Sequence, residues 1–169
     1  AQELRAAVTT LERDEHLSEQ DRLRDVALFH VVARTGLRTI EASRARVGDV
    51  RRQVGKDGRR HTVLYIQGKG RDAGDEYVVL EAEAERPLRA YLKARGPVTE
   101  DAPLFASSSP RNMGEALTTR SISRILKRAI KGAGLDDRRL TAHSLRHSAI
   151  TLAIQGGASL EQAQAMARH

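Results

Sequence analysis

The sequence predicts an α+β domain, mainly α, with a small three-stranded antiparallel sheet set between helical stretches. Three observations predict it. Apolar residues recur at helical spacing on both sides of residues 50–80, the pattern inside that window changes to β-favouring runs, and turn-forming "GKDG" and "GKGRDAGD" divide the window into three. At 169 residues the chain is the size of one ordinary domain, so a single domain over residues 1–169 is expected.

The elements follow in order. A short helix is expected around Leu4, Ala7, Val8 and Leu11. In "SEQDRLRDVALFHVVARTG" the Ser18-x-x-Asp21 pattern caps a helix, Leu23, Val26, Ala27 and Val31 repeat at its period, and Gly36 stops it. A further helix in "TIEASRARVG" is expected to end near Gly48. Strands are expected at 50–54, 61–67 and 76–80, forming a meander whose arginines 51, 52, 59 and 60 make one face strongly positive. "EAERPLRAYLKARG" places Leu88, Tyr91 and Leu92 on one helix face, with Pro87 in the first turn if the helix starts late, where its missing N–H is harmless. Residues 96–118 read as a long irregular connection. Thr119 is the expected N-cap of "RSISRILKRAIKGAG", whose Ile122, Ile125, Leu126, Ala129 and Ile130 face inward before Gly132 or Gly134 ends it. Two last helices are expected, one in "AHSLRHSAITLAIQGG" burying Leu145, Ala149, Leu152 and Ala153, the other in "SLEQAQAMARH".

Composition narrows the function. Lys+Arg 29 against Asp+Glu 22 gives a net charge of +7, which makes a polyanion the first guess for a partner, although many basic domains are merely soluble. With Cys 0 there is neither a disulfide framework nor a thiolate for catalysis or metal binding. No run approaches the ~18 apolar residues of a membrane span and no signal-peptide pattern opens the chain, so a cytoplasmic protein without membrane association is expected. Aromatics at 3% and Trp 0 disfavour a single-strand binder that stacks successive bases on rings.

Three short stretches carry candidate chemistry. In "TAHSLRHSAIT" His143 and Arg146 share a face in the first turn of a helix, where free N–H groups and the positive dipole end attract an anion such as phosphate. Alone, the stretch fits an exposed solvated face better. His147 is one step round the helix and reads as a packing or orienting residue. In "TGLRTIEA" Arg38 sits at a helix junction with Glu41 one turn later, able to hold it; alone, this is an ordinary surface ion pair. In "IQGKGRD" Lys69 stands between glycines at a hairpin tip, from which it can reach a bound polyanion; alone, this is a common charged hairpin tip.

In this order, and over nearly the whole chain, these stretches resemble the catalytic domain of the tyrosine recombinase (phage integrase) family, of Xer or integrase type. "TGLRTIEA" is similar to the family's first arginine box, "GKG" to its β-hairpin lysine, and "HSLRHSAIT" to its His-x-x-Arg-His box. The closing "GGASLEQAQAMARH" is similar to the segment that leads to the family's last histidine. The resemblance implies the helical catalytic fold of that type. It further implies catalytic roles for Arg38, Lys69, His143, Arg146 and His169, with Glu41 and His147 in support. Arg51 and Arg52 are expected DNA contacts.

The activity so implied is site-specific recombination or integration by cleavage and rejoining of double-stranded DNA through a 3′-phosphotyrosyl intermediate. Two guanidiniums would stabilise charge on the non-bridging oxygens, Lys69 would protonate the leaving 5′-oxygen, a neutral His143 would exchange protons with the tyrosine, and His169 would donate to the phosphate. No metal and no other cofactor is expected. The nucleophile is not in this chain: Tyr65, Tyr77 and Tyr91 fall outside the matching position and read as structural. The chain is therefore expected to stop short of the tyrosine, to lack an N-terminal core-binding domain, and to be an inactive monomer alone, whereas the full-length protein would form a homotetramer on DNA. Two alternatives remain, a non-catalytic DNA-binding or inactivated relative and a type IB topoisomerase-like relaxing enzyme.

Overall fold

The computed structural model of the chain describes residues 2–67, 76–134 and 144–147. Helix α1 (Gln2–Glu12) precedes α2 (Glu19–Thr35) and the short α3 (Thr39–Arg44). A 3₁₀ turn (Val47–Asp49) then leads into β1 (Val50–Val54), β2 (Arg60–Tyr65) and β3 (Tyr77–Leu80). Helices α4 (Ala82–Arg95) and α5 (Thr119–Gly132) follow. The strands form one antiparallel sheet in the order β1-β2-β3, with Val50 opposite Leu64 and Leu64 opposite Val78.

Helix α2 is the central element because both its ends are fixed locally and its middle is apolar. Ser18 Oγ accepts the Asp21 N–H at 3.1 Å. At the other end Gly36 takes the left-handed conformation, φ 72°, that a side chain would strain, and its N–H donates to the Val32 carbonyl at 3.0 Å. Residues 26–29 and 31–33 are buried against α1, α4 and α5, and β3 lies on α2 and α4. The inward residues of α5 are Ile122, Ile125, Leu126, Ala129 and Ile130, as its periodicity predicts.

Four expectations are corrected. Helix α3 stops at Arg44, not near Gly48, because the backbone beyond it pairs with the connection: Leu104 N–H donates to the Ala45 carbonyl at 2.8 Å and Val47 N–H to the Ala102 carbonyl at 2.9 Å. Pro87 lies inside α4 and not in its first turn, since the helix already starts at Ala82. The carbonyl that Pro87 leaves without a helical donor is that of Glu83, an exposed residue that water can reach. Thr118, not Thr119, caps α5, accepting the Ser121 N–H at 3.1 Å. Finally, the sheet arginines do not share a face. Arg51 is opposite Val63 and Arg52 opposite Thr62, and successive strand residues point to opposite sides.

A buried ionic cluster joins α2 to α5. Asp25 is fully buried on α2; its Oδ1 accepts from Arg24 Nε at 2.9 Å and its Oδ2 from Arg128 of α5 at 2.6 Å. Arg24, itself buried, also donates to Asp21 at 3.2 Å and to the Ala106 carbonyl at 3.1 Å, so the 96–118 connection is tied in as well. Burial pushes the Asp25 carboxyl above its ordinary value, against the pull of both arginines.

Candidate active site

The α2–α3 junction builds the site. After Gly36 turns the chain, Leu37 is buried at 2% exposure, and Arg38 follows in extended backbone (φ −75°, ψ 151°) as the residue that enters α3. The buried Leu37 anchors the seam and leaves the Arg38 side chain 45% exposed. One turn later Glu41 is buried, with its Oε1 3.7 Å from Arg38 Nε. That separation is an ion pair and not a hydrogen bond, so Glu41 holds Arg38 by charge.

Arg146 reaches the same seam from far along the chain. Residues 144–147 are helical, Leu145 packs against the core, and Arg146 is buried at 7% exposure with its Nε donating to the Gly36 carbonyl at 2.9 Å. The structure thus brings Arg146 to the backbone two residues before Arg38. Its Nε is thereby fixed on a backbone carbonyl. His147 is exposed on the same turn. Lys69, His143 and His169 lie outside the described residues, as do Ala149, Leu152, Ala153 and the "SLEQAQAMARH" stretch expected to be helical.

Arg51 and Arg52 are both exposed but differently engaged. Arg51 donates from Nε to the Gly48 carbonyl at 3.0 Å and lies over the Tyr65 ring at 4.8 Å. Arg52 stands 3.8 Å from Glu85. Burial pushes the Glu85 carboxyl up, but hydrogen bonds from Arg89 and Thr62 and the nearby Arg89 and Arg52 charges outweigh it and hold the group below its ordinary value.

One tyrosine lies in the core and two in the sheet. Tyr91 is 1% exposed, stacks on Phe105 and accepts the Ala106 N–H at 3.3 Å. Tyr65 and Tyr77 are cross-strand partners with rings 5.6 Å apart, and the Tyr65 hydroxyl donates to Gln53. Among the described residues no group of three His, Asp or Glu could hold a metal ion, and no helix is long and apolar enough to cross a membrane.

Sequence reading missed Asp25, Arg24 and Arg128. A signal was present, because Asp25 lies three and four residues before Leu28 and Phe29, on the apolar side of α2, where a carboxylate needs partners. It also passed over Thr35, whose hydroxyl lies inside the α2–α3 turn.

The described residues thus form a fold of helices around a small sheet, with two arginines drawn to one helix junction. The chain belongs to the phage integrase family, whose model matches residues 1–169. It is 32% identical over 153 residues to the tyrosine recombinase XerC of Corynebacterium glutamicum, covering 90% of this chain and 45% of that protein. To the tyrosine recombinase XerD of Listeria innocua it is 29% identical over 152 residues, 87% of this chain and 46% of that protein. The chain thus spans under half the length of these relatives. The XerH site-specific recombinase bound to difH substrate in a pre-cleavage complex superposes with a TM-score of 0.75 at 29% identity, covering 98% of this chain and 45% of that one. The lambda integrase catalytic core shares the fold, with a TM-score of 0.64 at 18% identity over 98% of this chain and 87% of that one.

Proposed function

We propose that this chain is the catalytic core of a site-specific DNA recombinase or integrase that breaks and rejoins double-stranded DNA through a 3′-phosphotyrosyl intermediate. The observation that carries this reading is the tie between Arg146 and the Gly36 carbonyl, two residues from Arg38. A residue used only for phosphate contacts on a surface has no reason to be buried at 7% exposure and held by the backbone. Two guanidiniums fixed at one seam suit a phosphorane-like transition state, whose extra negative charge they stabilise more than the ground state.

The remaining roles rest on the family. Lys69 is the proposed general acid for the leaving 5′-oxygen, His143 the group that exchanges a proton with the tyrosine, and His169 a donor to the phosphate, with Glu41 and His147 in support. The attacking tyrosine is proposed to lie outside residues 1–169. Arg51 and Arg52 are proposed DNA contacts, one on each face of the sheet. The whole protein is proposed to work in the cytoplasm as a homotetramer on DNA, while this chain alone is monomeric.

The test is covalent capture. The chain extended by the downstream residues of its gene is mixed with a nicked duplex carrying its recombination site, with excess chelator and no nucleotide. A denaturation-resistant protein–DNA adduct is expected. If a site-bound extended protein forms none, the non-catalytic DNA-binding reading replaces this one.

A further inference from the structure

The peptide unit that joins Gly36 to Leu37 is held at both ends. Its C=O accepts from Arg146 Nε at 2.9 Å, and its N–H, that of Leu37, donates to Thr35 Oγ1 at 3.2 Å. A trans peptide is planar with its C=O and N–H pointing in opposite directions, so fixing one end aims the other. The Thr35 hydroxyl is itself fixed, because it donates to the Val31 carbonyl at 2.6 Å in the last turn of α2. Thr35 is 4% exposed and Leu37 2%, which leaves little water to compete for these groups.

We propose that Thr35 is a positioning residue for Arg146: its hydroxyl sets the 36–37 peptide plane and thereby the plane of the guanidinium. The hydrogen bonds run in one line, from Arg146 Nε to the Gly36 carbonyl and from the Leu37 N–H through the Thr35 hydroxyl to Val31, and each polarises the next. Without the hydroxyl the Leu37 N–H would be a buried donor lacking its acceptor, and the peptide would rotate towards another. The Gly36 carbonyl would then swing away from Arg146. Arg38 leaves the same turn one residue later, so Thr35 steadies the backbone under both arginines. The catalytic consequence rests on the function proposed above; the hydrogen-bond geometry does not.

Thr35→Val removes the hydroxyl at nearly constant shape, and Thr35→Ser keeps it. In the ¹⁵N-labelled 169-residue chain, the Arg146 Nε–H signal, assigned by its loss in Arg146→Lys, is followed by solvent exchange. Wild type and Thr35→Ser should exchange slowly, and Thr35→Val at least about tenfold faster, with the amides of α4 unchanged. In the extended protein at saturating DNA, Thr35→Val should slow adduct formation ~10- to 100-fold without weakening DNA binding, and Thr35→Ser should restore it.

Exchange in Thr35→Val at the wild-type rate overturns the proposal, as does Thr35→Ser behaving like Thr35→Val. If Thr35→Val does not fold, Thr35→Ala takes its place: exchange of Arg146 Nε–H at the wild-type rate overturns the proposal, and exchange at least about tenfold faster supports it. Wild-type extended protein that forms no adduct sinks the recombinase reading alone, since the exchange comparison still decides whether Thr35 positions Arg146.

Discussion

Arg146 Nε donates to the Gly36 carbonyl at 2.9 Å, bridging 110 residues of sequence to land two residues before Arg38. A guanidinium can be anchored through one nitrogen and still present others in a fixed plane; a lysine ammonium is a point charge on a flexible stem. Arg146→Lys in the extended protein should therefore cut the single-turnover rate of adduct formation about a hundredfold or more, the scale of losing one preorganised donor. DNA affinity should change little, because the net charge is kept. A rate within a few-fold of wild type would mean that the fork geometry is not used.

Asp25 holds α2 to α5 through Arg128 and pairs with its neighbour Arg24 on α2. Asp25→Ala leaves the buried Arg24 without its main counter-charge and should cost about 3 kcal/mol or more by urea unfolding. Asp25→Asn keeps the shape and some hydrogen bonding, and its loss should be smaller. Equal losses would show that packing and not charge pairing matters at this position.

The half-buried His30 ring accepts from Arg34 Nε at 3.2 Å through Nδ1. Burial first and the Arg34 charge second lower its pKa from 6.5 to about 4, with Glu83 pulling the other way. Between those two pH values the unfolded chain binds the proton that the folded chain refuses. Stability should thus fall as pH drops from 6.5 towards 4, and His30→Gln should flatten that part of the profile. Urea midpoints measured across this window check it, and an unchanged slope in the variant would place the effect elsewhere.

Gly132 lies in α5 where a Cβ would come within 2.2 Å of Thr10 Cγ2 and Oγ1 and 2.6 Å of Thr10 Cβ. An alanine would gain about 1 kcal/mol of helix propensity, but a new Thr10 rotamer cannot relieve contact with Cβ, so α1 and α5 must move apart. Gly132→Ala should lower the melting temperature despite the better helix former. A rise would show that the two helices slide at no cost.

What the sequence makes legible is what residues decide with near neighbours. Ser18 and Gly36 cap α2 as their chemistry requires, and the inward residues of α5 obey their period. Partners distant in sequence are not visible in this way. Helix α3 ends early because residues 100–104 offer the backbone of 45–48 other hydrogen bonds. Arg51 and Arg52 look like one basic patch until the strand sends them to opposite faces. In the site, Arg38, Glu41 and Arg146 could be picked out by their motifs, but the tie between Arg146 and a glycine carbonyl needs the fold. Thr35 opens the "TGLRTIEA" stretch, but what its hydroxyl bonds is visible only in the fold.

Under the proposed function, residues 1–169 activate a DNA phosphate for a tyrosine that lies outside them. Its most direct test is to digest the covalent adduct of the extended protein and identify the modified peptide and the DNA end it carries. The expected result is a tyrosine downstream of His169 joined to a 3′-phosphate, formed at least about a hundredfold more slowly when Arg146 is changed to Ala. An adduct through Tyr65, Tyr77 or Tyr91, or one whose rate is unaffected by Arg146→Ala, would contradict the account.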